Sequence, residues 1–149
     1  MIRVVVADDD VAFRDVLVEI LLDDGRFELV GTAHDADTAI AMCRDVGPDL
    51  AVLDVRMPGG GPAAADGIRV ASGGTTRTVA LSAQAGSAHV LSMLRSGASA
   101  YLAKGNVGVD LPDLLTRVAR GEVVVAAPGA DRFLAHLWGA DGSASPLGP

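Results

Sequence analysis

The chain has 149 residues, a net charge of −7 and a pI of about 4.7; 50% of its residues are hydrophobic and only 3% aromatic. That size suits one domain with a core of Val, Leu, Ile and Ala, and the acidic balance argues against nucleic-acid phosphates as partners of these residues. The single cysteine, Cys43, excludes an internal disulfide or a cysteine-based metal cluster and reads as a small buried residue on a helix. No apolar run approaches the ~20 residues of a membrane span. Met1-Ile2-Arg3 leads straight into a strand-like run with no room for a signal peptide, so a cytoplasmic protein is expected.

Ile2–Ala7 is almost continuously apolar, as in a strand covered on both faces. After Asp8-Asp9-Asp10, the residues Phe13, Val16, Leu17, Ile20 and Leu21 recur at helical spacing. Asp23-Asp24-Gly25 ends that helix, with Gly25 suited to a left-handed C-terminal position. Phe27–Ala33 reads as a second strand. Asp35 is the expected cap of a second helix with Ala36, Ala39, Ile40 and Cys43 on one face, stopped by Gly47-Pro48. Asp49–Leu53 is a third, buried strand that delivers Asp54 to its carboxyl end. Met57–Gly67 is expected to be a loop, because Gly, Pro and Ala dominate it, and a weak helix with Ile68, Val70 and Ala71 follows.

Arg77–Leu81 is a fourth strand ending at Ser82. A helix over Ser87–Ser96 points Val90, Met93 and Leu94 inward and stops at Gly97. Ala98–Ala103 is a short fifth strand carrying Tyr101, with Lys104 at its end. Asp110 is the expected cap of a fifth helix, with Pro112 in its first turn, a stripe of Leu111, Leu114, Leu115 and Val118, and Gly121 as its stop. Five strand–helix alternations with short connections predict a doubly wound parallel sheet with helices on both faces. Glu122–Ala127 is an apolar patch outside the five units. Ala130, Phe133, Leu134 and Leu137 predict a short extra helix ending near Trp138, and residues 139–149 read as a flexible tail.

In a parallel sheet the ends of strands one, three, four and five share one rim, where open α/β folds place their chemistry. That rim gathers Asp8, Asp9, Asp54, Ser82 and Lys104. Singly, each has a plainer reading: the acids as helix caps, the serine as a turn residue, the lysine as a solvated surface group. Together, crowded carboxylates repel unless a cation intervenes, and Mg²⁺ suits a few carboxylates, water and a phosphate. The ammonium and the hydroxyl would then hold phosphoryl oxygens, with a carboxylate as the acceptor.

Four segments carry a family likeness: VVVADDD, LDVRMP, ALSA and GASAYLAKG. In this order, at strands one, three, four and five, they resemble the receiver domains of two-component response regulators over about Ile2–Gly121. The resemblance implies a flavodoxin-like five-stranded sheet of order 2-1-3-4-5 with a C-terminal extra helix. It divides the chain into a receiver over 1–121, a linker strand and helix over 122–138, and a tail. It implies Asp54 as phosphoacceptor, with Asp8, Asp9, Asp54 and the Arg56 backbone carbonyl as the Mg²⁺ site. Ser82 and Lys104 would hold the phosphoryl group, Ser82 and Tyr101 would form the switch, and Arg56 and Gln84 would tune dephosphorylation. The implied donor is a sensor histidine kinase; the implied response is a changed helix-four and strand-five surface controlling dimerisation or an output domain.

Two departures stand out. Seven residues, Gly59–Ala65, separate Met57-Pro58 from Asp66-Gly67 where the family has few, so a longer and more mobile loop is expected beside the metal. Gly105 follows Lys104 where many receivers carry proline, which predicts a looser lysine. The run after the fifth helix resembles the linker of NarL/LuxR-type regulators. Too few residues follow Gly121 for their DNA-binding domain, so a fragment of a longer transcription regulator is favoured over a stand-alone receiver, with DNA contacted only through the missing domain. Two other readings stay open: a degenerate receiver that serves only as a protein-interaction module, and a haloacid-dehalogenase-type phosphatase with Asp8 as nucleophile.

Overall fold

The computed structural model describes residues 1–83, 87–106 and 110–126. Strand β1 (Ile2–Ala7) leads to α1 (Val11–Asp23), β2 (Phe27–Ala33) to α2 (Ala36–Val46), and β3 (Leu50–Asp54) to α3 (Gly61–Ser72). Strand β4 (Arg77–Ser82) leads to α4 (Ser87–Arg95), and β5 (Ala100–Ala103) to α5 (Leu111–Ala119) through a 3₁₀ turn over Lys104–Asn106. A last strand, β6 (Val124–Ala126), completes a wholly parallel sheet of order β2-β1-β3-β4-β5-β6.

The doubly wound architecture and the order of the first five strands agree with the sequence reading; the sheet has six strands rather than five. The apolar patch after α5 is the difference: Val124 and Val125 pair with Ala100 and Tyr101. Three residues are too short a run to reveal a strand without its neighbour. The predicted helix over Ala130–Leu137, Trp138, the tail and Gln84 lie outside the described residues.

Side chains alternate across the sheet and build two cores. Val5, Ala7, Ala51, Leu53, Ala80 and Tyr101 face α2, α3 and α4, while Val4, Val6, Leu50, Val52, Val79 and Leu81 face α1 and α5. The first core is rich in alanine: Ala36 and Ala39 of α2 and Ala64 and Ala65 of α3 are all buried in it. Small side chains let these helices sit close to the sheet, and Tyr101 is the largest side chain among those wholly buried.

Local signals explain most element ends. Asp10 caps α1 by accepting from the Phe13 N–H at 3.1 Å, and Asp35 caps α2 by accepting from the Thr38 N–H at 2.7 Å. Gly47 closes α2 at φ +58°. Elsewhere the expectations need correction. Gly25 is not left-handed; Asp24, in extended conformation, ends α1 and binds Arg26 instead. Val16 is exposed, leaving Leu17 and Leu21 as the buried seam of α1. Asp110 precedes α5, but its side chain makes no capping bond.

The largest correction concerns the expected loop over Met57–Gly67. Helix α3 begins at Gly61, so most of that stretch is helical. Pro62 stands in the first turn, where a missing N–H costs nothing, and Ala63-Ala64-Ala65 are the best helix formers. Only Val55–Gly60 links β3 to α3, and the departure from the family spacing does not produce a long loop beside Asp54.

Candidate functional site

The sheet register brings the predicted groups to one level. Ala7 pairs with Leu53, Asp54 with Leu81, and Ser82 with Ala103. Asp8, Asp54, Ser82 and Lys104 therefore emerge side by side at the carboxyl rim. Asp8, Asp54 and Ser82 are buried, Asp9 is exposed and Lys104 is largely covered.

Asp8 is held from several directions. One carboxylate oxygen accepts the Asp10 N–H at 2.9 Å, and the other accepts Lys104 Nζ at 2.9 Å. Its backbone carbonyl accepts Arg14 Nη1 at 3.1 Å. Lys104 Nζ also lies 3.4 Å from an Asp54 oxygen and 4.3 Å from the centroid of the Phe13 ring. The lysine thus lies against two carboxylates and an aromatic face.

Burial, then the charge of Asp8, holds the Asp54 carboxyl above the usual carboxylate range; Lys104 and the backbone N–H of Arg56 oppose that rise. Burial alone would lower the Lys104 pKa, but its bonds to Asp8 and Asp54 raise it above the ordinary lysine value. One ammonium faces an excess of acid: oxygens of Asp8, Asp9 and Asp54 lie within 4.8 Å of one another. Oxygens bound to Mg²⁺ at about 2.1 Å stand at most about 4.2 Å apart, so these three close on such an ion with small movements. An all-oxygen donor set with surplus negative charge fits a hard divalent cation.

The acidic triplet serves both purposes that the sequence left open. Asp8 and Asp9 belong to the rim cluster, and Asp10 is the helix cap. Phe13 and Arg14 were not anticipated in the site. Their signal was available: both stand in the first turn of the helix that leaves the acidic triplet. Arg56 is exposed just past Asp54, and Tyr101 is wholly buried on β5, in the core that also holds Val90 and Met93 of α4.

Residues 4–119 match the family model of the response regulator receiver domain. The chain belongs to the response regulator receiver family. Probable transcriptional regulatory protein NarL of Mycobacterium tuberculosis is 35% identical over 130 residues, covering 84% of this chain and 58% of the relative. The DNA-binding transcriptional activator DevR/DosR of the same organism is 29% identical over 147 residues, covering 99% of this chain and 68% of the relative. The receiver thus spans little more than half the length of its NarL relative. Among solved structures, the signal receiver domain of NarL from M. tuberculosis superposes with a TM-score of 0.78 at 34% identity, covering 81% of this chain and 98% of that one. A LuxR-family two-component response regulator from Aurantimonas sp. gives 0.82 at 26% identity, covering 88% and 94%. Membership of this family removes the phosphatase alternative. Among the described residues no helix is long and apolar enough to cross a membrane.

Proposed function

We propose that this receiver is a phosphoacceptor switch. An Asp54 carboxylate oxygen attacks the phosphorus of a kinase phosphohistidine; the P–N bond breaks, the imidazole leaves and an aspartyl phosphate forms. The observation that carries this reading is the convergence of Asp8, Asp9 and Asp54 within 4.8 Å, with Lys104 on two of them. Asp8, Asp9, Asp54 and the Arg56 carbonyl would hold Mg²⁺, which when bound supplies positive charge to the phosphoryl oxygens. Lys104 orients the same oxygens, and its contacts with Asp8 and Asp54 place its ammonium there in advance.

Ser82 and Tyr101 form the switch in this reading. They occupy neighbouring strands, with Ser82 paired to Ala103 and Tyr101 to Ala80. A hydroxyl drawn toward the phosphoryl group alters the space beside Tyr101 and α4, biasing a two-state surface. Arg56, exposed just past Asp54, tunes dephosphorylation by lining the approach of water, and the family likeness gives Gln84 the same role. The molecule acts as a regulator rather than a turnover enzyme, in the cytoplasm, with a sensor histidine kinase as partner. Its response is dimerisation or release of an output domain; DNA contact belongs to that domain and transcription is what it controls.

The test is incubation with acetyl phosphate and Mg²⁺ followed by intact mass, for the native chain and Asp54→Ala. A phosphoryl mass gain in the native chain alone is expected. No gain in the native chain would favour the phosphorylation-independent interaction module.

A further inference from the structure

We infer that Gly61 is a positioning residue for Asp54, acting through a single peptide group. This rests on the reading of Asp54 as a phosphoacceptor beside Mg²⁺. The Gly61 N–H donates to the Val55 carbonyl at 2.9 Å. That carbonyl belongs to the same planar unit as the Arg56 N–H, which donates to the Asp54 carboxylate. Turning one end of a rigid peptide turns the other, so the start of α3 sets the hydrogen bond on the acceptor. The Arg56 carbonyl, proposed as a metal ligand, is the next group along the chain.

The neighbouring peptide, between Asp54 and Val55, is anchored as well. The Val55 N–H donates to the Leu81 carbonyl of β4 at 3.0 Å, and the Val55 side chain is buried in the first core. The Gly60 N–H donates to the Met57 carbonyl at 2.8 Å, and the Ala36 N–H at the start of α2 donates to the Pro58 carbonyl at 2.9 Å. The short connection is thus pinned to β4, α2 and α3.

Position 61 must lack a side chain for a reason separate from backbone torsion. A Cβ there would lie 2.7 Å from the Val55 Cα and 3.1 Å from the Val55 oxygen. Both are backbone atoms that cannot swing aside. Gly60 differs: its φ is +87°, so an added Cβ strains the torsion, but its nearest neighbour would be Pro62 Cδ at 4.0 Å. Gly61→Ala pushes on the acceptor's peptide, whereas Gly60→Ala strains the loop without touching it.

The test compares native chain, Gly61→Ala and Gly60→Ala for Mg²⁺ affinity by calorimetry, rate of labelling by acetyl phosphate, and melting in EDTA. Gly61→Ala is expected to weaken Mg²⁺ binding about 10- to 100-fold, the range for outer groups that orient metal ligands, and to slow labelling. Gly60→Ala is expected to lose stability while binding Mg²⁺ like the native chain. Equal losses of affinity in both variants, or native affinity and rate in Gly61→Ala, would overturn the inference. A measurement on the native chain stands apart from variant folding: Mg²⁺ titration by amide NMR. The Gly61 and Arg56 resonances should shift together at one Kd while Gly73 stays still; an unmoved Gly61 would overturn it. A native chain that binds no Mg²⁺ defeats the phosphoacceptor reading itself, whereas native binding matched by Gly61→Ala defeats this inference alone.

Discussion

Replacing Lys104 with alanine separates two roles that one ammonium plays in the acidic pocket. Its Nζ lies 2.9 Å from Asp8 and 3.4 Å from Asp54, and the side-chain exposures are 16%, 1% and 8% for Lys104, Asp8 and Asp54. Truncation takes the ammonium away from two buried carboxylates beside Asp9. Removing one member of a buried ion pair costs about 3–5 kcal/mol; Lys104 keeps some contact with solvent, so about 3 kcal/mol is expected in EDTA. At about 2–4 °C per kcal/mol for a chain of this size, melting falls by roughly 6–12 °C. Saturating Mg²⁺ should recover most of that loss, because a divalent cation satisfies the same oxygens. Mg²⁺ should also bind Lys104→Ala more tightly than it binds the native chain, since no ammonium competes. Urea unfolding in EDTA and in Mg²⁺ measures both effects. A loss that is the same with and without Mg²⁺ would refute the picture of a lysine and a metal sharing one set of acids.

Two more outcomes follow from groups held away from their ordinary ionisation. Burial and then Asp8 raise the Asp54 pKa, so the folded chain binds that proton more tightly than the unfolded one. The contribution is complete below about 4 and fades as pH rises through the folded value. In EDTA, native stability relative to Asp54→Asn should therefore rise as neutral solution is acidified, and the opposite slope would contradict it. Burial pushes the Cys43 thiol up to about 12. A thiol reagent in mildly alkaline buffer should modify Cys43 only after urea unfolding, with rapid labelling of the folded chain counting against its placement in the core.

The sheet was legible because its strands are short apolar runs that end in chemistry-bearing residues. Once parallel pairing is assumed, Asp8, Asp54, Ser82 and Lys104 must share a rim, and the register delivers them there. Helix α3 was not legible over its first half: Gly-Pro-Ala composition reads as a breaker, yet only Gly59 and Gly60 do the turning, at φ +88° and +87°. Proline and alanine then suit the first turns. The capping role of Asp35 was readable from its place before the helix, and the acidic triplet offered α1 a cap without saying that it is Asp10, whereas Asp110 shows that the right residue at the right position need not make the bond. Phe13 hid inside a helix stripe that failed at Val16, because periodicity proposes a buried face and not that its first ring meets an ammonium. The bond from Gly61 to Val55 lies between main-chain atoms, and side-chain pattern carries no trace of it.

The sixth strand also decides what the sheet offers to other chains. With β6 in place, β5 pairs with β4 over Ala100–Ala103 and with β6 over Ala100–Leu102, and among the described residues the open ladders belong to β2 and β6. One is only three residues long. The other is interrupted by a register break opposite Val4–Val5 and carries the exposed charge of Glu28. Short, irregular and charged margins are poor templates for intermolecular strand addition.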